Sequence, residues 1–422
     1  MNRRQPIIVM LIVGIIVIFV LSLIPYSLAR NPLAQLSRTL KPGPGPITEA
    51  VAPKHLTADP LFDVATWYAE RGEQPETHGV LIESLAGDRT FASHNVDEAF
   101  NPASLIKLGT SLVALRKLGA DFRFQIRVYA DGETDSTGTL RGSLYVIGSD
   151  PTFGDIGAHL IAKELQSRGI KRVSEGLIVS PDFCFNFSES AEDSAARLSK
   201  ALNVGQPKIA VADQPAGRVL FQFNSYALRD VLLYMNAHSS NFVAERIGAL
   251  VGGPTGVQQF LVEQLPLPAN EVTISRVSGR EHNHMTARGL VKVIRALVEE
   301  TRRQGMEPTD IMPVASDDAG TLRRRLAGTG LEGAVVGKTG TLTSEVDGGM
   351  SSLAGLVYTQ DAGILVFAIL DQGNRVWEHR QMEDQLLADA IKSQATPLAV
   401  ASPTPRQLLP ASNLKITSEQ GE

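Results

Sequence analysis

Asn101-Pro-Ala-Ser-Leu-Ile-Lys107 decides how the rest of the chain is read, because it joins a helix-stopping Asn-Pro pair to a Ser-x-x-Lys at the start of an apolar pattern. Leu105, Ile106, Leu108, Leu112, Val113 and Leu115 recur at helical spacing, so a helix begins here with Ser104 in its first turn. Positions i and i+3 of a helix share a face. The Ser104 hydroxyl and the Lys107 amine can therefore meet, near the positive end of the helix dipole. That pairs a weak nucleophile with a group able to take its proton. Taken alone, the commoner meaning of such a pattern is a capping serine followed by a surface lysine.

Outward from this point, residues 79–85 carry a strand pattern, Gly87-Asp88 a turn, and 89–94 the returning arm of a hairpin. Beyond the helix, strand patterns at 122–130, 140–147, 176–180 and 218–223 surround a helical one at 156–168. Helical spacing returns at 226–235, 242–250, 255–264 and 286–301. The polar cluster His238-Ser-Ser-Asn241 lies between the first two of these, where a helix cap is the ordinary expectation. Gly337-Lys-Thr-Gly-Thr-Leu342 follows Val335-Val336, and 351–358 and 363–370 alternate strongly about a bend at Asp361-Ala-Gly363. The pattern predicts an antiparallel sheet closed by a helix at 377–392.

At 422 residues, 43% hydrophobic and 20% charged, the chain has the length of two or three domains. A formal charge of -5 with no basic stripe excludes nucleic acid as a partner. Arg323-Arg324-Arg325 reads as a solvated helix face. The apolar run at 7–24, preceded by Arg3 and Arg4, is long enough to span a bilayer with its N-terminus in the cytoplasm, so residues 1–30 read as an uncleaved signal anchor. Ser27-Leu28-Ala29 offers a cleavage site, which makes a signal peptide the alternative. Residues 31–60 read as a Pro-rich spacer and 396–422 as a disordered tail. The single cysteine, Cys184, lies between Phe183 and Phe185 and reads as a small buried hydrophobe, so no internal disulfide is available.

Three clusters gain weight from their order: Ser-x-x-Lys at 104–107, Ser-x-Asn at 239–241 and Lys-Thr-Gly at 338–340. Penicillin-binding proteins and class A β-lactamases carry this signature. The chain most resembles the D-alanyl-D-alanine carboxypeptidase/endopeptidase group typified by penicillin-binding protein 4, the peptidase S13 family. Asn101-Pro-Ala-Ser-Leu-Ile-Lys107 is similar to the family's nucleophile segment and Ser239-Ser-Asn-Phe-Val-Ala-Glu245 to its second motif. Gly148-Ser-Asp-Pro-Thr-Phe153 resembles the turn of its inserted domain. Gly320-Thr-Leu-Arg-Arg-Arg-Leu-Ala-Gly-Thr329 running on to Gly337-Lys-Thr-Gly-Thr-Leu342 adds further likeness. Two departures stand out. Residues 108–238 leave less room than the family's usual insertion, and Val277-Ser-Gly-Arg-Glu-His-Asn283 fits the family's loop poorly.

The resemblance implies a serine β-lactamase/transpeptidase-like α+β fold: a five-stranded antiparallel sheet flanked by helices, plus a helical lobe. The catalytic domain would comprise 61–124 and 226–395, and a small, mainly β insertion 125–225. Ser104 would attack an amide, Lys107 accept its proton while neutral, with Lys338 as the cation that keeps it so, and Ser239 pass a proton to the leaving amine. Asn241 would hold Lys107 and the substrate amide. The resemblance further implies that Lys338, Thr339, Gly340 and Thr341 line the substrate pocket, with the N–H groups of Ser104 and Thr341 as oxyanion hole.

Implied partners are peptidoglycan stem peptides, β-lactams as covalent inhibitors, and the membrane through the N-terminal segment, in a periplasmic or other extracytoplasmic setting. No cofactor or metal is required. Glu281-His282-Asn283-His284 lacks a clear third ligand, and His238 reads as a packing or capping residue. The function implied is a serine D-Ala-D-Ala carboxypeptidase with scope for peptidoglycan endopeptidase cleavage. The rivals are a serine β-lactamase and a non-catalytic wall-peptide binder. A class A β-lactamase needs a deacylating carboxylate, and no Glu-x-x-Leu-Asn follows Asn241.

Overall fold

The computed structural model describes residues 62–400 and 406–418; the apolar run at 7–24 and the spacer at 31–60 lie outside them. Among the described residues no helix is long and apolar enough to cross a membrane. Asp63 caps α1 (Val64–Ala69), which leads to β1 (His78–Ser84), β2 (Thr90–His94) and β3 (Ala99–Phe100). A short 3-10 turn, Ala103–Leu105, opens into α2 (Ile106–Leu118). An inserted unit follows: β4 (Arg123–Thr134), β5 (Thr139–Ile147), α3 (Asp155–Ser167), β6 (Arg172–Val173), β7 (Gly176–Val179), α4 (Ala191–Leu202), β8 (Lys208–Val211) and β9 (Arg218–Ala227). The helical lobe resumes with α5 (Leu228–His238), α6 (Asn241–Leu250) and α7 (Gly253–Gln264), then β10 (Val272–Thr273), β11 (His284–Thr286) and α8 (Ala287–Arg303). Last come β12 (Val335–Leu342), β13 (Met350–Tyr358), β14 (Ile364–Gln372), α9 (Val376–Ile391) and β15 (Lys415–Thr417).

The first sheet is antiparallel, in the order β12-β13-β14-β1-β2. Its alternation separates two cores rather than a core from solvent. Leu81, Leu356, Val366, Ala368 and Leu370 face inward with Leu112 of α2 and Leu290, Ile294 and Leu297 of α8. Val80, Ile82, Leu353, Leu365, Phe367 and Ile369 face outward under Trp67 and Tyr68 of α1 and Leu386, Leu387 and Ile391 of α9. Helix α2 is buried from Ile106 through Leu115, as befits a helix with no polar face toward solvent. This burial carries the charged Lys107 into the interior.

The insertion is built on a sheet, with α3 and α4 crossing between the parallel strands β5, β7 and β8, because parallel neighbours need a long crossover. Two expectations need correction. The residues after 396 are not all a structureless tail: β15 pairs with β9, and Arg406 is bonded to Asp318. Arg323–Arg325 is not a helix face, and Arg325 is buried against Glu383 and Asp384 of α9. Cys184 is buried as expected, with its Sγ donating to Asp150 O and burial pushing the thiol up to about 12.

Candidate active site

The nucleophile turn is built by close approach of backbone. Asn101 Oδ1 accepts from Ala103 N at 3.0 Å, holding Ala103 at φ 49. Pro102 O accepts from Leu105 N at 3.1 Å and from Ser352 Oγ of β13 at 3.0 Å. A Cβ on Gly340 would lie 2.2 Å from Ser352 Oγ and 2.7 Å from Pro102 O, so only glycine lets β12 come this close. Ser104 thus sits in a 3-10 turn ahead of α2, not in its first α-turn.

Lys107 Nζ lies 2.9 Å from Ser104 Oγ, donates to Asn241 Oδ1 at 2.8 Å, and is bonded to Ser278 O. Ser278 belongs to the 277–283 loop, and nothing in its spelling signals that its carbonyl reaches the lysine. The loop is fastened on several sides. Thr110 Oγ1 donates to Val277 O at 3.0 Å, and Ser278 N to Glu245 Oε1 at 3.2 Å. Gly279, at φ +84, packs so closely that a Cβ would meet Ala103 O at 2.0 Å. Buried Asn283 accepts from Ser275 N at 2.9 Å and donates to Arg280 O and Glu281 O.

Burial lowers Lys107 from 10.5 to about 7; Glu245 opposes this and Arg280 adds to it. Lys338, fully buried and donating to Thr339 O at 2.6 Å, is held well below its ordinary value by burial, then by Lys107 and Arg380. The two lysines disfavour one another's charge, and Arg280 is a further cation acting on Lys107.

The other two motifs are joined through Thr321. Its N–H donates to Ala237 O at 2.8 Å, two residues before Ser239, and its Oγ1 accepts from Thr339 Oγ1 at 2.8 Å. Gly320 leaves the room, since a Cβ there would sit 2.1 Å from Ala237 O. Ser239 ends α5 at φ 55, half-buried, and among the described residues its hydroxyl has no hydrogen-bond partner. Ser240 caps α6 through Val243 N, and this turn aims Asn241 at Lys107. On edge strand β12 Gly337 N donates away from the sheet to Pro313 O, and the period of two puts the N–H groups of Thr339 and Thr341 on the same open edge. Thr341 Oγ1 donates to Gly340 O at 2.7 Å.

Among the described residues the 281–284 stretch joins no group of three ligands; His282 is exposed, 3.4 Å from Asp347 Oδ1. His238 is exposed at the end of α5, with its ring 4.7 Å from that of Tyr234.

A lysine brought by burial to about 7, bonded to a serine in a strained turn beside an open strand edge, is the apparatus of a serine acyl-transfer site. The chain belongs to the D-Ala-D-Ala carboxypeptidase 3 (S13) family, whose model matches residues 63–193 and 180–393. It is 30% identical over 116 residues to a D-alanyl-D-alanine carboxypeptidase of Actinomadura sp. (strain R39), a match covering 27% of this chain and 21% of the relative. In fold it is similar to Bd3459, a predatory peptidoglycan endopeptidase of Bdellovibrio bacteriovorus, with a TM-score of 0.66 at 20% identity, covering 80% of this chain and 98% of that one. That endopeptidase is also known acylated by penicillin G. Penicillin-binding protein 4 of Haemophilus influenzae gives a TM-score of 0.61 at 16% identity, covering 78% of this chain and 99% of the other.

Proposed function

We propose that this protein is a serine D-Ala-D-Ala carboxypeptidase acting on peptidoglycan stem peptides outside the cytoplasmic membrane, with residues 7–24 as its anchor. The observation that carries the reading is the Ser104–Lys107–Asn241 cluster, with the lysine brought to about 7 by burial. Ser104 Oγ attacks the carbonyl carbon of the penultimate D-alanine as its proton passes to neutral Lys107. Charge on the tetrahedral oxygen is met by the N–H groups of Ser104 and Thr341. The C–N bond then breaks, the proton reaches the leaving D-alanine through Ser239, and water cleaves the ester. Lys338 and Thr339 receive the terminal carboxylate, whose charge restores the proton that burial takes from Lys338.

A β-lactam places a strained amide beside a carboxylate and enters the same path. Glu245 Oε1 accepts from Ser278 N, and no Glu-x-x-Leu-Asn follows Asn241 to supply the deacylating carboxylate of a class A β-lactamase. Purified protein is incubated separately with benzylpenicillin and with a wall peptide ending in D-Ala-D-Ala. D-alanine release together with a penicilloyl-enzyme lasting minutes supports the carboxypeptidase. Rapid penicillin hydrolysis without D-alanine release would make it a β-lactamase, and binding without either reaction a non-catalytic receptor. Recovery of the protein in the soluble fraction, beginning at Arg30, would replace the anchor by a cleaved signal peptide.

A further inference from the structure

On the outer face of the catalytic sheet, away from Ser104, the turn after α1, the first residue of β1 and helix α9 bring together Glu73, His78 and His379. One carboxylate oxygen and one nitrogen from each ring lie within 4.8 Å of one another. Glu73 Oε2 stands 3.3 Å from His379 Nε2 and 3.8 Å from His78 Nε2. In a tetrahedral zinc site with bonds of about 2.0–2.1 Å, ligand atoms are about 3.4 Å apart, so the two distances from Glu73 are close to that spacing.

The orientation of the rings adds an independent observation. His78 is fully buried and its Nδ1 is 3.0 Å from Asp371 Oδ1, while Tyr68 stacks on the ring at 3.7 Å and donates its OH to the same oxygen. Asp371 thereby fixes the proton on Nδ1 and turns the Nε2 lone pair toward Glu73 and His379. That Nε2 is buried with no hydrogen-bond partner among the described residues. A carboxylate–histidine pair aiming a bare nitrogen at a second histidine and a carboxylate is the arrangement that orients metal ligands. Arg375 Nη1 holds Glu73 Oε1 at 2.7 Å, which leaves Oε2 to the site.

We propose that Glu73 Oε2, His78 Nε2 and His379 Nε2 bind one divalent transition-metal ion, with Zn²⁺ as the ion this N/O set fits and water in the fourth position. The role is structural. Thr341, Ser351, Asp371 and His78 form one cross-strand row of the sheet, so the ion ties the α1 turn and α9 to the row that carries Thr341 of the active site.

The test uses the purified full-length chain, stripped with a chelator, dialysed and titrated with Co²⁺ and with Zn²⁺. One equivalent of Co²⁺ with the intense visible absorption of a tetrahedral ion is expected, displaced by Zn²⁺, and Zn²⁺ should raise the unfolding temperature. Glu73→Gln and His379→Gln, each folded by circular dichroism, should lose the tight site, while a His282→Gln/His284→Gln double variant keeps it. If His78→Gln fails to fold, the other two variants still decide the matter. Folded wild-type protein that takes up no stoichiometric ion, or equal binding by Glu73→Gln and His379→Gln, overturns the proposal. None of these readouts depends on peptidase activity.

Discussion

Gly340→Ala should disable the site by separating its two halves. The new Cβ would stand 2.2 Å from Ser352 Oγ, 2.7 Å from Pro102 O and 2.9 Å from Ala103 Cβ. Ser352 can rotate aside at the expense of its bond to Pro102 O, but the backbone oxygen and the Ala103 methyl cannot. Strand β12 must then withdraw by about 0.7 Å, the gap between 2.7 Å and an ordinary contact of 3.4 Å. A displacement of that order between nucleophile and substrate-holding strand lowers acylation about 10- to 100-fold, and the overpacking costs about 1–3 kcal/mol of stability. The assay is the second-order rate of acylation by a fluorescent penicillin, with thermal unfolding run alongside. Lys107 and Asn241 lie on the helical side, so the pH at which the rate begins to fall should not move. Acylation within twofold of wild type at unchanged stability would refute the claim that this close approach positions the serine.

The remaining predictions concern charge. With Lys107 at about 7, acylation should rise tenfold per pH unit below about 7 and level off above it, since the base works only when deprotonated. Asn241→Asp places an anion beside Nζ, favours the charged amine, and should move this limb upward by about 1–3 pH units, as a pH–rate profile would show. Lys107→Arg should abolish acylation in a folded protein, because guanidinium keeps its proton; retained labelling would put the base elsewhere. Arg325→Met leaves Glu383 and Asp384 buried without their cation and should cost about 3–5 kcal/mol in denaturant unfolding, whereas a loss under 1 kcal/mol would contradict a structural role.

What the sequence made legible followed from periodicity and from side chains that carry chemistry. The hairpin at 79–94, the antiparallel strands near the C-terminal end, the buried helix after Ser104 and the pairing of Ser104 with Lys107 could be read that way, while the five-stranded count and the places of Asn241 and Lys338 rested on the family resemblance. Ser278 could not, because its contribution is a backbone carbonyl presented by a positive-φ glycine, and the loop lacks the family's usual spelling. Thr321 was visible only as part of a motif; its link between Ala237 and Thr339 is a matter of tertiary packing. Arg325 was misread because a run of three arginines suggests solvent, and its acidic partners lie nearly sixty residues away on α9. The parallel strands of the insertion are short, at four residues each for β7 and β8, too short for periodicity to reveal their direction. Arg280 as a further cation acting on Lys107 was not legible, because it lies on the same atypical loop as Ser278.

Ser104, activated by Lys107, should be the residue that is acylated. Intact-mass analysis of the purified protein after exposure to benzylpenicillin, followed by peptide mapping, reads this out. One penicilloyl group per chain is expected, on Ser104, absent from Ser104→Ala and formed far more slowly at pH 5 than at pH 8. An adduct on any other residue, or none on folded protein, would contradict it.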